Sequence, residues 1–206
     1  MTSPKHILGA ILAGGGARRL GGGDKGLTDL GGEPVLTRVV SRLRPQVAKL
    51  ILNANGDKSR FDGFGLEVVP DGEYAGLGPL TGILAVLDWA RAQSGYAKVA
   101  TVSTDVPFLP SDLIARLEAE SGGGLAIAMS AERRHPTIAL WPLGLRDAVA
   151  DALRRRALSI NTLAYDLGAV AADFPMRETD GRMIDPFFNV NTPEDLAAAR
   201  TFVAKS

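Results

Sequence analysis

The 206-residue chain has no cysteine. That absence excludes disulfides, thiolate catalysis, iron–sulfur clusters and cysteine-ligated zinc together, and it suits a reducing compartment. Histidine occurs only as His6 and His135, too few for a histidine-rich metal centre. Charge of either sign is not in excess: 23 Lys and Arg offset 23 Asp and Glu, for a formal net charge of zero. The chain therefore lacks the basic surplus of a dedicated nucleic-acid binder, and any polyanion it handles is expected to be small. No stretch approaches the roughly 18 consecutive apolar residues of a membrane span. The run Ile7 to Ala13, preceded by Lys5 and His6, loosely imitates a secretory leader; it is short and leads into Arg18-Arg19, so a buried strand explains it better. The resulting expectation is a soluble, cytoplasmic, monomeric protein with no nucleic-acid or membrane partner.

Hydrophobic residues at 46% and charged residues at 22% match a globular protein rather than a disordered one. A chain of this length buries roughly 70% of its unfolded surface and needs no covalent staple. Glycine is the compositional outlier, with 24 residues, ten of them within the first 32 positions. Such clustering marks an N-terminal loop that needs backbone freedom or a close approach to something else.

Short apolar runs alternate with helical patterns, the signature of βα units and a mostly parallel, Rossmann-like sheet in a three-layer α/β domain. Strands are expected at residues 6–13, 49–54, 66–70, 97–103, 125–130 and 136–141. Val35, Leu36, Val39, Val40 and Leu43 recur at helical spacing, and Pro45 closes that helix. Leu80, Ile83, Leu84 and Leu87 mark another, and Leu113, Ile114 and Leu117 a third with Ser111 as its N-cap. The last helix starts at Thr192-Pro193-Glu194, with Thr as cap, and runs to the C-terminus. The unbroken apolar character of 97–103 predicts a central strand covered on both faces. Residues 142–185 are less regular, with helix-like 145–156 and 159–167, and are expected to cap the sheet within a single domain spanning 1–206. In such sheets ligands sit beyond the carboxyl ends of the strands, at the topological switch point. The loops after residues 13, 54, 70 and 103 are therefore the candidates for a site.

The first of these runs Leu12-Ala13-Gly14-Gly15-Gly16-Ala17-Arg18-Arg19-Leu20-Gly21-Gly22-Gly23-Asp24-Lys25-Gly26. Glycines let backbone N–H groups wrap an anion, while Arg19 and Lys25 place full charges on it, which is the physics of a triphosphate cradle. The loop is not a Walker A motif, because Lys25 is followed by Gly26, and not a dinucleotide fingerprint, because Arg19 stands where the third glycine belongs. A flexible solvated loop remains the competing reading. Asp24 serves either as a partner of Lys25 or as a turn residue.

Asn53 ends the second strand, and its amide offers donors and an acceptor suited to a base edge, or else makes a turn. Asp71-Gly72 is by itself an ordinary turn signal, and Gly76-Leu77-Gly78-Pro79-Leu80-Thr81-Gly82 opens a helix. Asp105, just past the apolar strand in Ser103-Thr104-Asp105-Val106-Pro107-Phe108, presents a carboxylate at the ligand edge of the sheet. Mg²⁺ takes one or two carboxylates supplemented by phosphate oxygens and water, so one aspartate suffices, although an N-cap or turn role competes. In Phe188-Asn189-Val190-Asn191-Thr192-Pro193, alternation puts Asn189 and Asn191 on one side of an extended segment. His135, in His135-Pro136-Thr137-Ile138, reads either as a surface residue before a strand or as a wall of the cleft. Arg133, Arg134 and the run Arg154-Arg155-Arg156 read as solvated or as attractors of a phosphorylated ligand, and Trp89, Phe108 and Trp141 as core or cleft wall.

Leu12-Ala13-Gly14-Gly15, Arg19-Leu20-Gly21, Asp24-Lys25-Gly26, the aspartate of Asp105-Val106-Pro107-Phe108 and Asn189-Val190-Asn191-Thr192-Pro193 together resemble the glycosyltransferase-A-like nucleotidyltransferases, most closely the molybdenum cofactor guanylyltransferases, over nearly the whole chain. Related cytidylyltransferases tend toward Leu-Ala-Ala-Gly in the first loop and Asp at the Asn positions. The resemblance implies transfer of GMP from GTP to molybdenum-bound molybdopterin, with Mg²⁺ as cofactor. It implies catalytic roles for Arg19, Lys25 and Asp105, nucleotide contacts at Leu12, Ala13, Gly14, Lys25, Asn53, Asp71 and Asp105, metal binding at Asp105, and acceptor contacts at Asn189 and Asn191. It also implies transient contacts with cofactor-insertion proteins and molybdoenzyme apoproteins, and an acceptor-side role for the 142–185 cap. Another nucleotidyltransferase of the same fold, using CTP or a sugar-phosphate acceptor, and a nonenzymatic nucleotide-binding module are the alternatives.

Overall fold

A computed structural model describes residues 6–14, 24–179 and 181–203. Strands β1 (Ile7–Leu12), β2 (Lys49–Asn53), β3 (Glu67–Val69), β4 (Lys98–Ser103), β5 (Ala126–Ser130), β6 (Arg133–Pro142) and β7 (Val170–Asp173) form one sheet in the order β3-β2-β1-β4-β6-β5-β7. All pairings are parallel except those of β6, which runs antiparallel to both β4 and β5. A separate hairpin joins β8 (Arg177–Thr179) to β9 (Arg182–Ile184). Among the described residues no helix is long and apolar enough to cross a membrane.

Helices α1 (Val35–Leu43), α3 (Leu113–Glu120) and α6 (Pro193–Val203) pack on one face of the sheet, and α2 (Pro79–Ala92), α4 (Arg146–Arg154) and α5 (Ile160–Asp166) on the other. The two-residue period of β1 shows why both faces are covered. Ile7 and Ile11 enter the first core, Leu8, Ala10 and Leu12 the second, and all are buried. Gly9 of β1 is required by packing: a Cβ there would lie 2.8 Å from Val47 Cγ2 and 2.9 Å from Leu50 Cδ1. Trp141 is wholly buried and donates from Nε1 to Thr101 Oγ1 at 3.1 Å, so it is core, whereas Trp89 bonds Glu67 near the surface.

Several expectations are amended. The 136–141 strand begins earlier, at Arg133, and runs antiparallel. Its register against β5 jumps from Ala128–His135 to Ile127–Ala139, leaving 136–138 unpaired with β5, a place that tolerates Pro136 because proline has no N–H for the ladder. Ser111 does not cap α3: the N-cap is Asp112, without a side-chain cap bond, and the free Ile114 N–H is met instead by Gln46 Oε1 at 3.0 Å. Thr192 does cap α6: its Oγ1 accepts from Asp195 N at 3.1 Å, and Asp195 Oδ2 accepts from Thr192 N at 2.9 Å, a reciprocal capping box. Residues 142–185 supply α4 and α5 to one helical layer and β7 to the edge of the sheet.

The β5–β6 turn places Ala131 (φ 46°) and Glu132 (φ 62°) in the left-handed region, which two-residue hairpins need but L side chains disfavour. Gly31 and Gly32 take the same region in an earlier turn at no such cost. Replacing Glu132 by Gly is expected to relieve about 1 kcal/mol of strain and raise the melting temperature by about 3 °C in a calorimetric scan.

Candidate active site

The carboxyl ends of the parallel strands are level. Leu12 of β1 pairs with Asn53 of β2 and Ser103 of β4, and Asn53 with Val69 of β3. At the usual strand spacing these exits form a row about 14 Å long. From β1 the chain builds outward through β2 and β3, then returns to place β4 on the opposite flank of β1, so the row contains the topological switch point.

One end of the row is organised around Asp71. Its Oδ1 accepts from Asn53 Nδ2 at 3.0 Å and its Oδ2 from Asn55 Nδ2 at 2.7 Å; Thr81 Oγ1 lies 3.1 Å from the same Oδ2 and 2.6 Å from Gly78 O, two acceptors that share its single proton. Asn53, 4% exposed, also donates to Val69 O at 3.1 Å, so both its N–H groups are spent within the protein. One of them holds Asp71. Gly82 of α2 is matched to that arrangement, since a Cβ there would collide with Asn53 Oδ1. Asn55 and Thr81 were not singled out in the sequence; only the structure shows that they share the Asp71 carboxylate. Ala13 N bonds Asn53 O at 2.8 Å, Leu12 is buried, and Gly14 is exposed with open space where a side chain would stand.

At the other end stands Lys25. Its Nζ donates to Asn191 Oδ1 and lies 3.7 Å from Asp105 Oδ2, with side-chain exposures of 23% for Lys25 and 16% for Asp105 that leave the pair reachable yet partly desolvated. Gly26 tucks the same turn against the β4 exit, where a Cβ would be 3.1 Å from Thr104 Cβ. Asp24 pairs with Arg60 Nε and not with Lys25, and Arg60 also donates to Asn55 O at 2.6 Å. One guanidinium thus ties the end of the glycine loop to the exit of β2. Arg19 lies outside the described residues.

The Asn189–Asn191 segment is bound to the Asp105 loop by Val190 N to Asp105 O at 2.9 Å and by Phe188 against Phe108, ring centres 6.4 Å apart. Asn191 therefore joins Lys25 and Asp105, while the half-buried Asn189 side chain makes no hydrogen bond among the described residues. His135 is not a surface residue before a strand: it is buried inside β6, 5% exposed. Burial pushes its imidazole below the ordinary histidine value, Asp185 opposes that shift, and Arg133 reinforces it. Arg154 and Arg155 pair with Asp151 at 2.9 and 2.7 Å on the exposed face of α4.

The donor set at Asp105 fits a divalent cation. Asp105 Oδ1 is buried and has no hydrogen-bond partner among the described residues, a costly state for a carboxylate oxygen unless something else coordinates it. A single carboxylate with one oxygen unpartnered matches the habit of Mg²⁺, which completes its shell with substrate phosphates and water.

Residues 9–165 match the family described as MobA-like NTP transferase domain. A relative from Mesorhizobium japonicum named molybdenum cofactor guanylyltransferase is 46% identical over 202 residues, covering 95% of both chains. One of the same name from Nitrobacter hamburgensis is 47% identical over 203 residues, covering 95% of this chain and 94% of its own. Among solved structures, molybdopterin-guanine dinucleotide biosynthesis protein A from Archaeoglobus fulgidus has the same fold, with a TM-score of 0.75 and 24% identity over 97% of this chain and 100% of that one.

Gly82→Ala separates the packing role of this glycine from its place in a helix. Alanine's higher helix propensity would stabilise α2 by up to about 1 kcal/mol. The collision with Asn53 is expected to override that gain and to lower the melting temperature in a calorimetric scan, as the hydrogen bond that holds Asp71 is lost.

Proposed function

The chain belongs to the MobA-like NTP transferase domain family, and from that membership we propose that it transfers GMP from GTP to the terminal phosphate of molybdenum-bound molybdopterin, releasing pyrophosphate. The observation that carries the site assignment is the meeting of Lys25, Asp105 and Asn191 at the exits of β1 and β4. GTP lies along the row of strand ends, its nucleoside toward Asp71, Asn53 and the backbone of Leu12, Ala13 and Gly14, its triphosphate toward Lys25.

An oxygen of the acceptor phosphate attacks the α-phosphorus. The new P–O bond forms as the bond from the α-phosphorus to the α,β-bridging oxygen breaks, and the electron pair leaves with pyrophosphate. Little covalent chemistry is asked of the protein, so rate comes from alignment and from charge placed where charge develops. Lys25 stabilises the growing charge on the leaving group, with Arg19 assigned the same task from the glycine loop. Asp105 supplies the protein ligand for Mg²⁺, which when bound neutralises phosphate charge and polarises the reacting phosphorus. Asn191, and Asn189, whose amide makes no hydrogen bond among the described residues, offer hydrogen bonds to the polar edge of the pterin.

The same reading includes a cytoplasmic, monomeric enzyme, handing its product to cofactor-insertion proteins or molybdoenzyme apoproteins, with residues 142–185 on the acceptor side of its single 1–206 domain. Acceptor-dependent pyrophosphate release, assayed side by side with GTP and CTP, tests it. GTP is expected to support turnover and CTP not to; Asp105→Asn is expected to lower kcat by at least about 100-fold with the melting temperature retained. Preference for CTP would overturn the base assignment, and a fully active Asp105→Asn the metal site.

A further inference from the structure

One buried polar constellation takes no part in that chemistry. Ser130, the last residue of β5, is completely buried, and His135 of β6 is 5% exposed. The tight turn pairs Ser130 with Arg133 and Ala128 with His135, so Ser130 and His135 are diagonal neighbours on one face of the hairpin. Ser130 Oγ donates to Asp185 Oδ1 at 2.7 Å, and His135 Nε2 lies 2.9 Å from the same Ser130 Oγ. A serine hydroxyl has one proton; with it committed to the carboxylate, the contact to His135 requires an Nε2–H donor. The polarity of the chain is thus fixed, from His135 to Ser130 to Asp185. Asp185 Oδ1 accepts in addition from Phe187 N at 2.8 Å, and the buried Phe187 ring packs on His135 with centres 4.9 Å apart.

Asp185 begins the loop that carries Asn189 and Asn191, and three anchors hold that loop. The relay and the Asp185–Phe187 turn fix its start, Val190 N on Asp105 O fixes its middle, and Asp195 Oδ2, accepting from Asn191 N at 3.0 Å, fixes its end. The middle and end anchors are local to the site and to α6. The first is imposed from β5 and β6, and it makes no contact with Asp71, Asn53 or Asn55.

We propose that Ser130 and His135 are positioning residues whose hydrogen-bonded relay onto Asp185 sets the path of the 185–191 loop and so places Asn189 and Asn191 for the acceptor. The inference rests on reading that loop as the acceptor contact. Replacing both partners of the Ser130–His135 bond with apolar groups of similar shape is nearly neutral for that buried pair, and the half-buried Asp185 keeps the Phe187 amide, so loop placement and fold stability can be read apart.

Three variants decide it: Ser130→Ala, the double Ser130→Ala/His135→Leu, and His135→Gln, whose amide carries an N–H to the position of Nε2. Steady-state kinetics with GTP and acceptor varied separately is paired with hydrogen exchange at the Val190 amide. The first two variants are expected to raise the acceptor KM about tenfold with the GTP KM unchanged, and to speed exchange at Val190 but not in β4. His135→Gln is expected to behave as wild type in both readouts. The proposal is overturned if folded variants keep the acceptor KM and Val190 protection, if both KM values rise together, or if His135→Gln does not restore function. Wild-type protein that releases no pyrophosphate in response to the acceptor would refute the reaction instead, and Val190 exchange would then still judge the relay.

Discussion

The ammonium of Lys25 stands between a carboxylate and an amide oxygen, 3.7 Å from Asp105 and hydrogen-bonded to Asn191, which is 166 residues away in the chain. The carboxylate beside it keeps one oxygen, Oδ1, buried and without a partner among the described residues. An unpartnered buried carboxylate oxygen is expensive, and in the proposed reaction it would be met by the divalent cation that a chain of phosphates carries. The resting protein holds charge and coordination in reserve, which is the condition under which electrostatic stabilisation needs no rearrangement at the moment of reaction.

The rest of the molecule brings three distant segments to that point. The level register of β1, β2, β3 and β4 sets the row of loop exits, and helices on both faces keep the strands from shifting. Arg60 fixes the end of the glycine loop through Asp24. The Asn191 segment is fixed from the other side by Asp105 O, by the capping box of α6 and by the rings of Phe108 and Phe188. The two halves of the cleft meet at Lys25 and Asp105, while the braces farther out, Arg60 on one side and the α6 capping box on the other, are separate.

Much of this was legible in the sequence, and the reason is locality. The strands at the sheet centre and the stripes of α1, α2 and α3 announce themselves by period and apolar content within a single window. Lys25, Asp105, Asn189 and Asn191 each sit in a short motif. What escaped is what depends on partners far along the chain: β7, β8 and β9, with four, three and three residues, carry too little pattern to stand out. The antiparallel direction of β6 is set by a turn of Ala131 and Glu132, which lacks the glycine signal such turns usually carry. Gln46 as the helper of α3, Arg60 as the brace of Asp24, and Thr81 and Asn55 on Asp71 are all contacts between surfaces that only folding brings together. Asn53 is a case in which residue chemistry suggested a base contact while folding spends both N–H groups internally.

A crystal structure of the protein with Mg²⁺ and a GTP analogue bearing a methylene group between the α- and β-phosphorus tests the central claim most directly. The cation is expected on Asp105 Oδ1, with Lys25 Nζ turned onto the phosphates beyond the methylene bridge. A triphosphate seated elsewhere on the molecule, with Asp105 Oδ1 still unpartnered and Lys25 still on Asn191, would contradict it.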